Sequence, residues 1–186
     1  GKKRRKQIFP RYHQLDAVHK LLSDVASRGA GKRYLIQHSA GSGKSNSIAW
    51  LAHQLIGLER EGKTIFDSIV VVTDRRVLDR QIKNTIRQFA QVSATVGHAD
   101  RSLDLRRFLA EGKKIIITTV QKFPVVMKEI GDDHRGRTFA IIIDEAHSSQ
   151  GGRTSAKMNI VLSKEGREMD DETIEDRINR IMESRK

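Results

Sequence analysis

Two short strings constrain this chain more than anything else in it. His38-Ser39-Ala40-Gly41-Ser42-Gly43-Lys44-Ser45 follows one apolar run, and Asp144-Glu145-Ala146-His147 ends another, Phe139 to Ile143. A glycine-rich loop tipped with lysine suits a polyphosphate, and a double acid at the end of a buried strand suits its metal and attacking water. Taken singly, each string has an ordinary reading: a flexible linker for the first, a solvated helix start for the second. The flanks separate these readings. Arg33-Tyr34-Leu35-Ile36-Gln37 reads as a short buried strand, and beyond Ser45 the residues Ile48, Leu51, Leu55 and Leu58 recur at helical spacing. Strand, loop and helix in that order aim the loop amides and the positive helix end at phosphates. The pair of strings predicts nucleotide hydrolysis.

The remaining periodicities predict the frame. Pro10 precedes a helical face of Leu15, Val18, Leu22 and Val25 that ends near Gly29 and Gly31. Phe66 to Thr73 reads as a β-branched strand, Leu78, Ile82, Ile86 and Phe89 as a helix, and Val92 to Val96 as a short strand. Leu103 to Ala110 then reads as helix, Lys114 to Thr119 as strand, and Thr138 to Ile143 as the strand that delivers the acids. Continuous apolar strands separated by amphipathic helices imply an α/β domain, with a mainly parallel central sheet and helices on both faces. Ligands in such sheets bind beyond the carboxyl ends of the strands, where the glycine loop and the acids both sit. The expected division is a basic arm over residues 1–7, the sheet domain over 8–153, and a charged extension over 154–186. In the extension Ile174, Ile178 and Ile181 mark one helix, which either packs on the sheet domain or serves a partner.

Composition narrows the partners. With no cysteine, disulfides and cysteine-ligated zinc are excluded, and the seven histidines show no paired metal spacing. A catalytic metal would be bound by carboxylate and phosphate, meaning magnesium. The 35 Lys and Arg against 23 Asp and Glu leave a formal charge of +12, which favours a polyanionic partner. The basic run Lys2 to Lys6 fits a phosphate-contacting arm or a solvated terminus. Aromatics at 5% disfavour a single-strand binder built on base stacking. No apolar run approaches a membrane span and no signal-peptide core follows the basic start, so a cytoplasmic protein with no membrane partner is expected.

The order of the landmarks carries a resemblance. Arg11-Tyr12-His13-Gln14 resembles the adenine-reading Q motif of superfamily two helicases and translocases, His38 to Ser45 their motif I, and Asp144 to His147 their motif II. Val72 to Gln81 resembles motif Ia, and Thr118-Thr119-Val120-Gln121-Lys122-Phe123 the next DNA-facing motif. In these forms, with Ser148-Ser149-Gln150-Gly151 trailing the acids, residues 7 to 153 resemble the motor subunit of type I restriction endonucleases. The resemblance implies a first RecA-like P-loop domain that uses ATP and Mg2+. In it Lys44 contacts the β and γ phosphates, and Ala40, Gly41, Ser42, Gly43 and Ser45 complete the ATP-binding loop. Ser45 and Asp144 hold magnesium, the acid partly through water, Glu145 orients the attacking water, and His147 couples nucleotide state to neighbouring motifs. Gln14, helped by Arg11, hydrogen-bonds the adenine edge. Thr73, Arg75, Thr118, Thr119 and Lys122 contact the backbone of double-stranded DNA. The implied partners are the remaining motor and nuclease domains, and the methyltransferase and specificity subunits of the complex.

Three departures accompany the resemblance. His38 stands where the loop pattern has glycine or alanine. Motif III and a second RecA-like domain with its arginine finger find no match in these 186 residues, so the chain reads as a motor half expected to bind ATP and hydrolyse it poorly. The Glu-x-Lys form of the nuclease domain recurs at Glu61-Gly62-Lys63 and Glu111-Gly112-Lys113, both read as surface turns. The alternatives are another superfamily two motor, such as a type III restriction or repair helicase, and a non-hydrolytic DNA-binding or assembly module.

Overall fold

The computed structural model describes residues 9–39, 41–73, 86, 96–99, 101–119, 122, 134 and 136–144. Helix α1 (Tyr12–Arg28) and helix α2 (Lys44–Ile56) come first. A small antiparallel hairpin follows, β1 (Glu59–Arg60) and β2 (Lys63–Thr64). Then come β3 (Ser68–Thr73), β4 (Val96–His98), α3 (Ser102–Ala110), β5 (Ile115–Thr119) and β6 (Phe139–Ile143). The last four strands form one parallel sheet in the order β4-β5-β3-β6.

The register explains why the central strands are apolar at every position. In the β3/β5 pair Ile69 lies opposite Ile115 and Val71 opposite Ile117, while Val70 lies opposite Ile116. Side chains alternate across a strand, so these two sets face opposite sides of the sheet. Ile69, Val71, Ile115 and Ile117 pack with Val18 and Val25 of α1 and Ala49, Leu51, Ala52 and Leu55 of α2. Val70, Val72 and Ile116 pack with Leu105 and Leu109 of α3. Helices on both faces of a parallel sheet are the α/β arrangement the periodicities predict, and the fold is that of a RecA-like P-loop domain.

Polar contacts fix the amino-terminal ends of the strands. Arg137 donates from Nη1 to the Leu109 carbonyl and from Nη2 to Ser68 Oγ at 2.9 Å, and its guanidinium lies over the Phe139 ring. Asp67 Oδ2 accepts the Thr138 amide at 2.7 Å. At the sheet's outer edge, a Cβ on Gly97 would sit 2.6 Å from the Phe108 ring, so the absent side chain lets α3 close on β4.

Several boundaries differ from expectation for local reasons. The predicted strands over 66–73, 114–119 and 138–143 begin later, at Ser68, Ile115 and Phe139, and Phe66 packs in the core ahead of the first of them. The short strand covers Val96–His98; its predicted residues 92–95 lie outside the described residues, as do nearly all of the 78–89 helix and the whole 154–186 extension. On α1 the inward stripe starts at Gln14, whereas Leu15 is exposed. Glu61 and Gly62 have φ of 54° and 76° and form the hairpin turn, and Glu111 to Lys113 forms the turn after α3, so both Glu-x-Lys strings are turns.

The clearest correction concerns residues 33–37. The segment expected as a buried strand is irregular, with Leu35 87% exposed. Apolar character makes a strand only where an open ladder takes its backbone. Among the described residues 33–37 pair with no strand, and Tyr34 instead donates its hydroxyl to Asp24 on α1 at 2.8 Å.

Candidate nucleotide site

The glycine loop enters α2 through Gly43, which caps the helix at φ 84° and ψ 33°. This left-handed geometry favours glycine. The Gly43 carbonyl accepts the Asn46 amide at 3.0 Å, the first turn of α2. Gln14 ties the loop to α1. Its Nε2 donates to the carbonyls of Ser42 and Gly43 at 2.9 and 3.0 Å, and its Oε1 accepts the Arg11 amide at 2.8 Å. Gln14 is 3% exposed, so these bonds lie out of competition with water.

The consequence reaches the phosphate side of the loop. A trans peptide carries its C=O and N–H on opposite sides. Turning the Ser42 and Gly43 carbonyls toward Gln14 therefore turns the Gly43 and Lys44 amides away from it. These amides stand at the start of α2, where the helix macrodipole is positive. Gly41 has φ 73°, and among the described residues no atom lies within 4 Å of where a Cβ would be.

α2 leads through the hairpin into the start of β3 and packs against β3, β5 and β6. In such α/β units the helix runs antiparallel to the strands, so its N-terminus belongs at their carboxyl edge. Asp144 sits at that edge directly after β6, 6% exposed, and its amide extends the ladder by donating to the Val72 carbonyl at 2.9 Å. Loop amides, the Lys44 ammonium, the Ser45 hydroxyl and a buried carboxylate are the donor set that magnesium triphosphate requires. The residues present fit the group. Ala40, Glu145 and His147 lie outside the described residues.

Two imidazoles adjoin the loop, and no motif in the sequence marks either for a role. His38, the departure from the loop pattern, meets His13 edge to face with ring centroids 5.3 Å apart. Burial, then the charges of His13 and Lys44, hold His38 below its ordinary pKa. The available signal was the position of His13 beside Gln14 and of His38 at the loop's first place.

The other expected site residues among those described have the following surroundings. Gln14 was expected at an adenine edge; both Nε2 hydrogens are engaged by the loop carbonyls and Oε1 accepts the Arg11 amide, which leaves the second lone pair of Oε1 as the group able to meet an adenine amino donor. Arg11 itself is exposed. Thr73 and Thr118 were expected on DNA, yet both are fully buried, and the Thr73 hydroxyl lies 3.4 Å from the Thr118 carbonyl. Their β-branched side chains fill the sheet's interior and present no hydroxyl to a duplex. Thr119 is 7% exposed at the end of β5. Lys122 donates to the Ala99 carbonyl at 3.0 Å, tying the segment after β5 to the end of β4. Arg75 lies outside the described residues.

A parallel sheet covered on both faces, with a glycine loop feeding a helix and a buried acid at the strand ends, defines a P-loop ATPase domain. The profile of the SWI2/SNF2 ATPase family matches residues 13–167, and the chain belongs to that family of helicase-like motors. No curated protein matches the chain. No helix among the described residues is long and apolar enough to cross a membrane.

Proposed function

We propose that this chain is the ATP-binding first RecA-like domain of the double-stranded DNA translocase in a type I restriction endonuclease motor subunit. The observation that carries the nucleotide part is the loop itself, its carbonyls held by Gln14 and its amides turned outward at the start of α2. Membership of the SWI2/SNF2 ATPase family supports a motor rather than a kinase or transporter. The type I assignment is supported by the form of Val72 to Gln81, Thr118 to Phe123 and Ser148 to Gly151. On this reading Lys44 draws the β and γ phosphates, Glu145 orients water, and His147 links the site to neighbouring motifs. Ser45 and Asp144 would hold magnesium, which when bound would supply charge neutralisation at the triphosphate. The proposed partners are duplex DNA, the nuclease and second motor domains, and the methyltransferase and specificity subunits; the proposed setting is the cytoplasm.

Calorimetric titration with a non-hydrolysable ATP analogue tests the reading. Saturable, magnesium-dependent binding is expected, and its absence would sink the proposal. Turnover by these 186 residues alone is expected to be slow, because the resemblance places the arginine finger on a second RecA-like domain, and such a finger contributes about 10³- to 10⁵-fold in these hydrolases. DNA-stimulated hydrolysis at the rate of a complete motor would contradict this.

DNA contact on this reading rests mainly on Arg75 and Lys122, since Thr73 and Thr118 are fully buried and Thr119 nearly so. Contacts of this type go to phosphates and position the protein without reading bases. Duplex affinity is therefore expected to fall steeply with salt, by roughly tenfold per few counterions released over a several-fold rise in concentration. A flat salt profile in a fluorescence anisotropy titration would exclude backbone binding.

A further inference from the structure

The departure at His38 acquires a neighbour in the fold. His13, on the first turn of α1, brings its ring to 5.3 Å from that of His38, and its Nε2 stands 3.4 Å from the Ser42 carbonyl. The pair thus flanks the same loop backbone that Gln14 holds. Among the described residues, the charged groups acting on His38 are His13 from α1 and Lys44 from the start of α2. All of these are cationic when protonated, so two imidazoles and an ammonium share the ground where a polyanion would bind.

Without an anion, a proton on His38 is opposed by burial and by the charges of His13 and Lys44. A triphosphate on Lys44 reverses the local field, and a proton on an adjoining imidazole then becomes favourable. We infer that the His13–His38 pair makes polyphosphate binding at this loop proton-linked, one imidazole taking a proton from solvent as the phosphates arrive. The inference rests on the nucleotide reading of the loop and adds to it a regulation by pH. Its sign follows from linkage. The imidazole pKa is higher with ligand than without, so the gain in affinity is fully present below the free pKa. It is lost as pH rises through the bound pKa.

The test is calorimetry on the whole chain with the magnesium complex of a non-hydrolysable ATP analogue, at about pH 6, 7 and 8 and in buffers of different ionisation heat. The analogue's own titration is common to all variants and cancels in comparison. Wild type is expected to take up a fraction of a proton near neutral pH. It is also expected to bind roughly three- to tenfold tighter at the lowest pH than the analogue's titration alone accounts for. His38→Gln and His13→Gln should each reduce the proton uptake, and the double variant should leave only the analogue's own contribution. His38→Ala, which restores the residue common at this position in the pattern, provides a second route should His38→Gln fold poorly. Equal proton uptake and equal pH slope in wild type and in every folded variant would overturn the inference while leaving nucleotide binding intact. No binding by wild type at any pH would instead remove the nucleotide reading, and this one with it.

Discussion

Gly43→Val is expected to reduce ATP-analogue affinity by a hundredfold or more while leaving the helices and sheet folded. Gly43 holds φ at 84°, a conformation that a β-branched residue adopts at a cost of about 1–3 kcal/mol. The added Cβ would also fall 2.5 Å from Gln14 Nε2. A flexible side-chain tip could swing away, but Gln14 is buried and bonded at both ends of its carboxamide. Relief therefore comes from the loop. Its carbonyls leave Gln14, the Gly43 and Lys44 amides lose their outward orientation, and the anion site disperses. A loss of about 1.4 kcal/mol corresponds to each tenfold in affinity, so strain plus two lost charge-assisted bonds from amide to phosphate reach the expected range. Far-ultraviolet circular dichroism should be unchanged, and calorimetry should show the loss. A variant that binds as tightly as wild type would mean that the loop's shape does not carry phosphate recognition. Lys44→Ala is the companion measurement: it removes the ammonium and leaves the backbone, so loss in both variants assigns binding to charge and geometry together.

How much of this was legible in the residues depends on the range of the interaction that decides each feature. The strands at Ser68–Thr73 and Ile115–Thr119 were legible because a strand buried on both faces must be apolar at every position. The glycine loop was legible because its backbone geometry needs particular residues at adjacent positions. Residues 33–37 misled for the opposite reason. Their apolarity matches β5's, and only the presence of a ladder partner distinguishes the two cases. Gln14 shows a subtler limit. Its string marked it as part of the site, but the carbonyls it engages are 28 and 29 residues away, and no spacing rule connects them. Thr73 and Thr118 resemble surface motif residues in the chain and core residues in the fold, because β-branched threonine suits either setting.

Ile117→Ala should lower the unfolding free energy by about 2–5 kcal/mol, the range for removing most of a fully buried aliphatic side chain. Ile117 lies on β5 with strands on either side and packs among the residues that α1 and α2 bury. Helices cannot settle onto one missing side chain without shifting both strand neighbours, which favours the upper half of that range. For a chain of this size the melting temperature should fall by roughly 4–20 °C. Ile142→Ala offers the contrast. It is on the same face, but on β6, where every residue is only half buried, so its loss should be clearly smaller. Thermal unfolding followed by circular dichroism measures both. Equal losses would mean that β6 is as enclosed as β5, contrary to its place at the edge of the described sheet. The same measurement bears on the site, because α2 carries the phosphate loop on its first turn and lies on the face that Ile117 supports. If Ile117→Ala also weakens ATP-analogue binding at a temperature where the chain stays folded, loop position depends on core packing. If affinity is unchanged, the bonds from Gln14 suffice to hold the loop.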